Sequence, residues 1–221
     1  MSQAEQTSSN CTEYLADQEV ANAATHGAGF LLSVGATVYI AAMVRSIEFG
    51  LGASCLVYAS TLMAVYAIST ISHAIQRPRA KFLLRAWDQG VIYLLITGTY
   101  TPFVWSSLTG PTRLIVLALL WGCALTGFFS KVVRHHRVND FSARGYIMLG
   151  WIPAVVLCPK LSTECLMWMV AGGVSYTVGT LFLTFDGRMR YFHAVWHIFV
   201  IVASACHYYA IVALIILPGT N

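Results

Sequence analysis

Apolar residues in this chain fall into long blocks separated by short polar and basic breaks. Stretches free of Asp, Glu, Lys and Arg cover residues 20–44, 49–76, 89–112, 114–130, 145–159, 165–185 and 192–217. At about 1.5 Å per residue, a helix over most of these crosses a hydrocarbon core of about 30 Å. The pattern predicts seven transmembrane helices. The fifth stretch is the shortest and contains Pro153, which a membrane helix tolerates where neighbours satisfy the freed carbonyl. Without it, the basic loops would fall on opposite sides. No repeat, low-complexity segment or soluble domain interrupts the series, so residues 19–221 read as one seven-transmembrane domain.

Composition makes the reading sharper. Of 221 residues, 57% are hydrophobic and 10% charged, with a mean hydropathy of +0.68, outside the balance of a soluble domain. Residues 1–18 carry no Lys or Arg and no apolar run, which excludes a cleavable secretory signal and predicts a polar cytoplasmic tail. Six scattered cysteines form no C-x-x-C pair and indicate neither a thiolate zinc site nor a disulfide scaffold.

Charge then orients the bundle. Arg77, Arg79, Lys81, Arg85, Lys131, Arg134, Arg137, Arg144, Arg188 and Arg190 all fall on the side of the N-terminal tail, against Arg45, Arg113 and Lys160 on the other. This bias predicts a cytoplasmic N-terminus and an external C-terminus in an all-α protein of the cell inner membrane. It also assigns the net charge of +4 to loops at the cytoplasmic leaflet, with no nucleic acid as partner. Membrane lipids are the expected partners, and no soluble protein partner is evident.

With depth assigned, the intramembrane polar residues form a pattern. His193 and His197 share one face at the cytoplasmic end of helix 7. His73 falls at the cytoplasmic end of helix 2 with Ser69 one turn deeper, and Asp88 opens helix 3 at the same level. Three neutral imidazoles with one open position are the ligand set of catalytic zinc. Asp88 would then bond the metal's water or orient the ligands from outside the set, and Ser69 would orient His73 or touch substrate. Membrane histidines also cross-link helices by hydrogen bonds, so an isolated H-x-x-x-H carries both readings.

Glu19, Asn22 and His26 lie on one face of helix 1 at this level. They suit a buried polar network supporting the site, although Glu19 alone would also serve as a helix-start charge. His207, about 15 Å further along helix 7, reads as a packing histidine. His135 and His136 sit in a basic loop and make a poor metal pair.

The motifs E-x-x-N-x-x-T-H (Glu19, Asn22, Thr25, His26), S-x-x-x-H (Ser69, His73), the Asp88 of AWDQGVIYLLITGTYTPF and H-x-x-x-H (His193, His197) resemble the hemolysin III family over residues 19–209. This is the bacterial branch of the group containing the progesterone and adipoQ receptors, including the adiponectin receptors, with the alkaline ceramidases more distant. The resemblance implies Zn2+ held by His73, His193 and His197 near the cytoplasmic surface, with Asp88 reaching it through a water. It implies the same topology as the charge count.

Three functions follow as expectations. One is a zinc-dependent hydrolase of lipid amides or esters, in which Asp88 handles the proton. Another is a pore-forming haemolysin, the activity behind the bacterial name, against which stand the missing secretory signal and the lack of an amphipathic pore-lining helix. The last is a membrane sensor or receptor with structural zinc.

Overall fold

A computed structural model describes residues 3–133 and 143–220, with residues 3–15 as backbone alone. His135 and His136 lie outside the described residues. Seven α-helices occupy the rest: α1 (Gln3–Met43), α2 (Phe49–Ala74), α3 (Pro78–Ser107), α4 (Gly110–Val132), α5 (Ala143–Leu157), α6 (Thr163–Thr184) and α7 (Phe192–Ile211). Five of them, all but α3 and α5, are long and apolar enough to cross a membrane.

Each stretch expected to be helical is helical, but the ends differ where helix and apolar block are different things. α1 starts at Gln3, so the polar stretch expected to be a tail continues the helix. α3 starts at Pro78, with three basic residues and Asp88 inside it, so Asp88 lies in its third turn rather than at its opening. Proline suits the first helical turn because its missing N–H has no partner to lose there. α4 takes in Arg113, the charge that separates the third and fourth apolar stretches: Gly110, at φ +57°, makes the left-handed turn and Pro111 sits in the first helical turn.

The start of α2 is capped by Glu48, whose carboxylate accepts N–H bonds from Gly50 and Leu51 and from Trp105 Nε1 of α3. These bonds, the backbone pair foremost, hold its carboxyl below the ordinary value.

α2, α3 and α7 carry most of the buried residues, whereas α4 and α6 bury few. α2 packs between α1 and α3, α6 lies against α7, and α7 closes the ring onto α1. Large apolar side chains such as Leu31, Val38, Ile115, Leu119, Val155 and Met167 stand exposed on the perimeter. A surface of that extent suits hydrocarbon, not water.

The interior is partly polar. Tyr66 donates to Ser204 Oγ at 3.1 Å, Tyr176 Oη lies 3.0 Å from the same oxygen, and Tyr58 donates to the Ser204 carbonyl at 3.4 Å. The three tyrosine hydroxyls of this cluster all meet Ser204, which compensates for burial away from water.

Candidate metal centre

α2 ends at Ala74 because Ile75–Arg77 turn extended into Pro78, which leaves His73 in the last helical turn. α7 begins at Phe192, which puts His193 and His197 in its first two turns. The chain enters α7 through Tyr191 at φ 61°, a left-handed conformation rare for a bulky residue. That turn is tied to α1: Tyr191 N–H donates to Gln18 Oε1 at 3.3 Å and Arg190 bonds Asp17 at 2.8 Å.

One nitrogen from each of His73, His193 and His197 lies within 4.8 Å of the other two. The ring centroids stand 4.6–5.1 Å apart. Among the described residues this is the group of His, Cys, Asp and Glu able to hold a metal ion.

The hydrogen bonds specify which nitrogen faces inward. His73 Nδ1 donates to Glu19 Oε2 at 2.9 Å, and His193 Nδ1 donates to Asp186 Oδ2 at 2.9 Å. His197 Nδ1 lies 3.2 Å from the Asn22 carbonyl and 3.0 Å from Thr25 Oγ1, whose own proton goes to the carbonyls of Ala21 and Asn22. All three rings therefore carry their proton on Nδ1 and leave Nε2 with a lone pair. His73 Nε2 is buried without a partner in the protein. Three imidazole lone pairs converging from anchored rings fit a divalent transition metal.

Glu19 does more than was expected of a helix-start charge, since α1 begins 16 residues earlier. Its second oxygen takes Lys81 Nζ at 3.0 Å and Arg85 at 3.1 Å, so one carboxylate fixes His73 and joins α1 to the first turns of α3. Asn22 contributes its backbone carbonyl to the site, while its side-chain oxygen is buried without a partner. His26 stacks on His197 with centroids 3.4 Å apart and planes 15° apart, its edge toward Tyr66.

Asp88 lies beside α2, where the Ser72 hydroxyl donates to its Oδ2 at 3.4 Å. Ser69, almost fully buried, and Asp88 line the same cavity as the three histidines. His207 stays apart, as expected: its Nε2 donates to the Met169 carbonyl of α6 at 3.0 Å.

Two partners escaped sequence reasoning. Asp186 stands seven residues before His193 in a D-G turn, and only the fold of residues 185–191 brings it back onto the ring. Ser72, one turn from Ser69 on α2, is the other: its hydroxyl also reaches Asp88.

The cavity has a volume of about 820 Å³ and runs from Gln18 and Arg85 past the histidines to Tyr176 and His207. Its walls mix aromatic and aliphatic side chains with the polar groups just described, the make-up of a site for a mostly apolar ligand.

Comparison with known proteins agrees with this picture. The haemolysin-III related family matches residues 14–208. Hemolysin-3 of Bacillus cereus is 33% identical over 200 residues, covering 88% of this chain and 90% of that protein. The Hemolysin-3 homolog of Bacillus subtilis (strain 168) is 32% identical over 200 residues, covering 88% and 92%. The human Monocyte to macrophage differentiation factor is 29% identical over 160 residues, covering 70% and 67%. With its apolar helices, anchored histidine triad and match along nearly its whole length, the chain belongs to the haemolysin-III related family and is a multi-pass integral membrane protein.

Proposed function

We propose that this protein is a zinc-dependent hydrolase of membrane lipid amides or esters, spanning the bilayer seven times with its site at the cytoplasmic ends of the helices. The observation that carries the reading is the convergence of three Nδ1-anchored imidazoles on a largely apolar cavity that also holds a carboxylate. A closed structural site would engage a fourth protein ligand. Here the cluster contains three, and Asp88 is outside it.

His73, His193 and His197 would hold the ion, which as a Lewis acid polarises a carbonyl and acidifies water. Glu19, Asp186 and the Asn22 carbonyl keep the rings in one tautomer and one orientation. Asp88, steadied by Ser72, takes a proton from the attacking water and returns it to the departing amine or alcohol. Ser69 borders the space where the lipid headgroup would sit. The acyl chain enters the apolar length of the cavity, away from water.

A cytolytic role is the second reading, supported by the name of the Bacillus cereus relative. The two part on Asp88→Asn, which keeps the shape and one hydrogen-bonding oxygen but removes the basicity. Purified protein should retain its metal while lipid hydrolysis falls about 10²- to 10⁴-fold, the worth of general acid-base help. Dye release from liposomes that survives loss of all three histidines, with no hydrolysis of any lipid amide or ester, would favour the cytolytic reading.

A further inference from the structure

The charges at the mouth of the cavity do not cancel. Glu19 Oε1 takes both Lys81 Nζ at 3.0 Å and Arg85 Nη2 at 3.1 Å, while Oε2 accepts from the neutral ring of His73. One carboxylate against two cations leaves one positive charge over. The neighbouring pair, Arg190 with Asp17, balances one to one. The other two carboxylates of the cavity, Asp88 and Asp186, offset the double charge of the divalent ion that the triad would hold.

The surplus falls to Arg85. Lys81 alone would neutralise Glu19 and tie α1 to α3, so that contact does not call for a second cation. The Lys81 side chain is 17% exposed and also bonds Gln76 Oε1 at 3.4 Å. Arg85 is 45% exposed and, of the described Lys and Arg residues, is the one that lines the cavity. Its bond to Glu19 uses Nη2 alone, which leaves the other side of a planar fork of N–H donors accessible to a ligand. Arg85 stands three residues before Asp88, on the same face of α3 and about 4.5 Å nearer its start.

We propose that Arg85 recognises an acidic headgroup, so that the lipid taken into the cavity is anionic. The inference rests on reading the cavity as a lipid site. With the scissile carbonyl at the triad beside Asp88, the acidic group sits about one helical turn toward the mouth. In a lipid amide that is a few bonds from the scissile nitrogen, as in an N-acyl amino acid. An amide with a neutral alcohol in that place fits the same walls and leaves the surplus charge unmet.

The test is direct binding, with no need of turnover. Purified full-length protein in phosphatidylcholine nanodiscs is titrated with N-oleoylglycine and with N-oleoylethanolamine against a displaceable fluorescent lipid, with zinc content measured alongside. The two amides share one chain and differ in carrying a carboxylate or a neutral alcohol. The wild type should bind the glycine amide about fivefold more tightly at low salt, the worth of a partly exposed ion pair. The preference should shrink as salt is raised. Arg85→Gln keeps an N–H donor for Glu19 but loses the charge, so the two probes should bind it equally. Arg85→Lys keeps the charge without the fork and should retain part of the preference. N-acetylglycine, which has the acidic group without the chain, should compete weakly.

Equal affinities in the wild type, a preference indifferent to salt, or no binding of either probe would overturn the subsite. So would a preference that survives Arg85→Gln at unchanged zinc content, since the metal alone would then take the carboxylate. Competition by N-acetylglycine as strong as that of N-oleoylglycine would make the site one for a small acid and overturn the lipid. Should Arg85→Gln fail to fold or lose its metal, the wild-type comparison and its salt dependence decide. A protein that hydrolyses no lipid yet shows the Arg85-dependent preference would lose the hydrolase reading and keep the subsite. Hydrolysis with equal probe affinities would do the reverse.

Discussion

The three imidazoles are oriented by two kinds of partner: a carboxylate for His73 (Glu19) and for His193 (Asp186), and the Asn22 carbonyl with the Thr25 hydroxyl for His197. A carboxylate on Nδ1–H raises the basicity of Nε2 as well as fixing the ring. Asp186→Asn keeps an accepting oxygen but removes the charge, so metal affinity should fall about 10- to 100-fold. Competition with a chromophoric chelator measures it, and an unchanged affinity would mean that the loop carboxylate does not tune the site. His73, His193 and His197 were legible because helical spacing and membrane depth place them without tertiary knowledge. The same held for Glu19 and Asn22 as members of one helix face. Asp186 was not legible, because its position depends on the left-handed turn at Tyr191 and its ties to Asp17 and Gln18. No periodicity encodes such a turn.

At the scale of elements, hydropathy identified the apolar centre of each helix and missed the helical ends. Charged residues do not stop a helix, so α1 and α3 extend well beyond their uncharged stretches, and the start of α3 was marked by Pro78 instead. Helix contacts depend on small residues that no hydropathy pattern singles out. A Cβ at Gly29 on α1 would come within 2.6 Å of the Tyr66 ring, which is buried on α2 and bonded to Ser204. Gly29→Ala should therefore destabilise the protein by about 1–3 kcal/mol through overpacking. Gly35→Ala, on the same helix with nothing within 4 Å of the new methyl, serves as the control. A thermal melt in detergent compares them, and equal midpoints would show that α1 and α2 are less closely packed than described.

At the scale of the whole molecule, the charge bias and the site support one another. His73, His193, His197 and Asp88 gather with Lys81, Arg85 and Arg190, among the basic residues whose bias predicts the orientation of the chain. A reporter joined after Arg137 should behave as cytoplasmic and one after Leu217 as external; an external signal at Arg137 would contradict seven spans. Such an orientation places the metal centre where a lipid headgroup meets the cytoplasmic interface, with the cavity reaching inward beside the acyl chains. Everything proposed for the chemistry depends on the triad holding an ion. Elemental analysis of the purified protein tests that most directly. The wild type should carry about one zinc per chain, and His73→Ala, His193→Ala and His197→Ala should each lower it sharply while His207→Ala leaves it near the original. Zinc retained by the three triad variants, or lost equally from His207→Ala, would contradict the account.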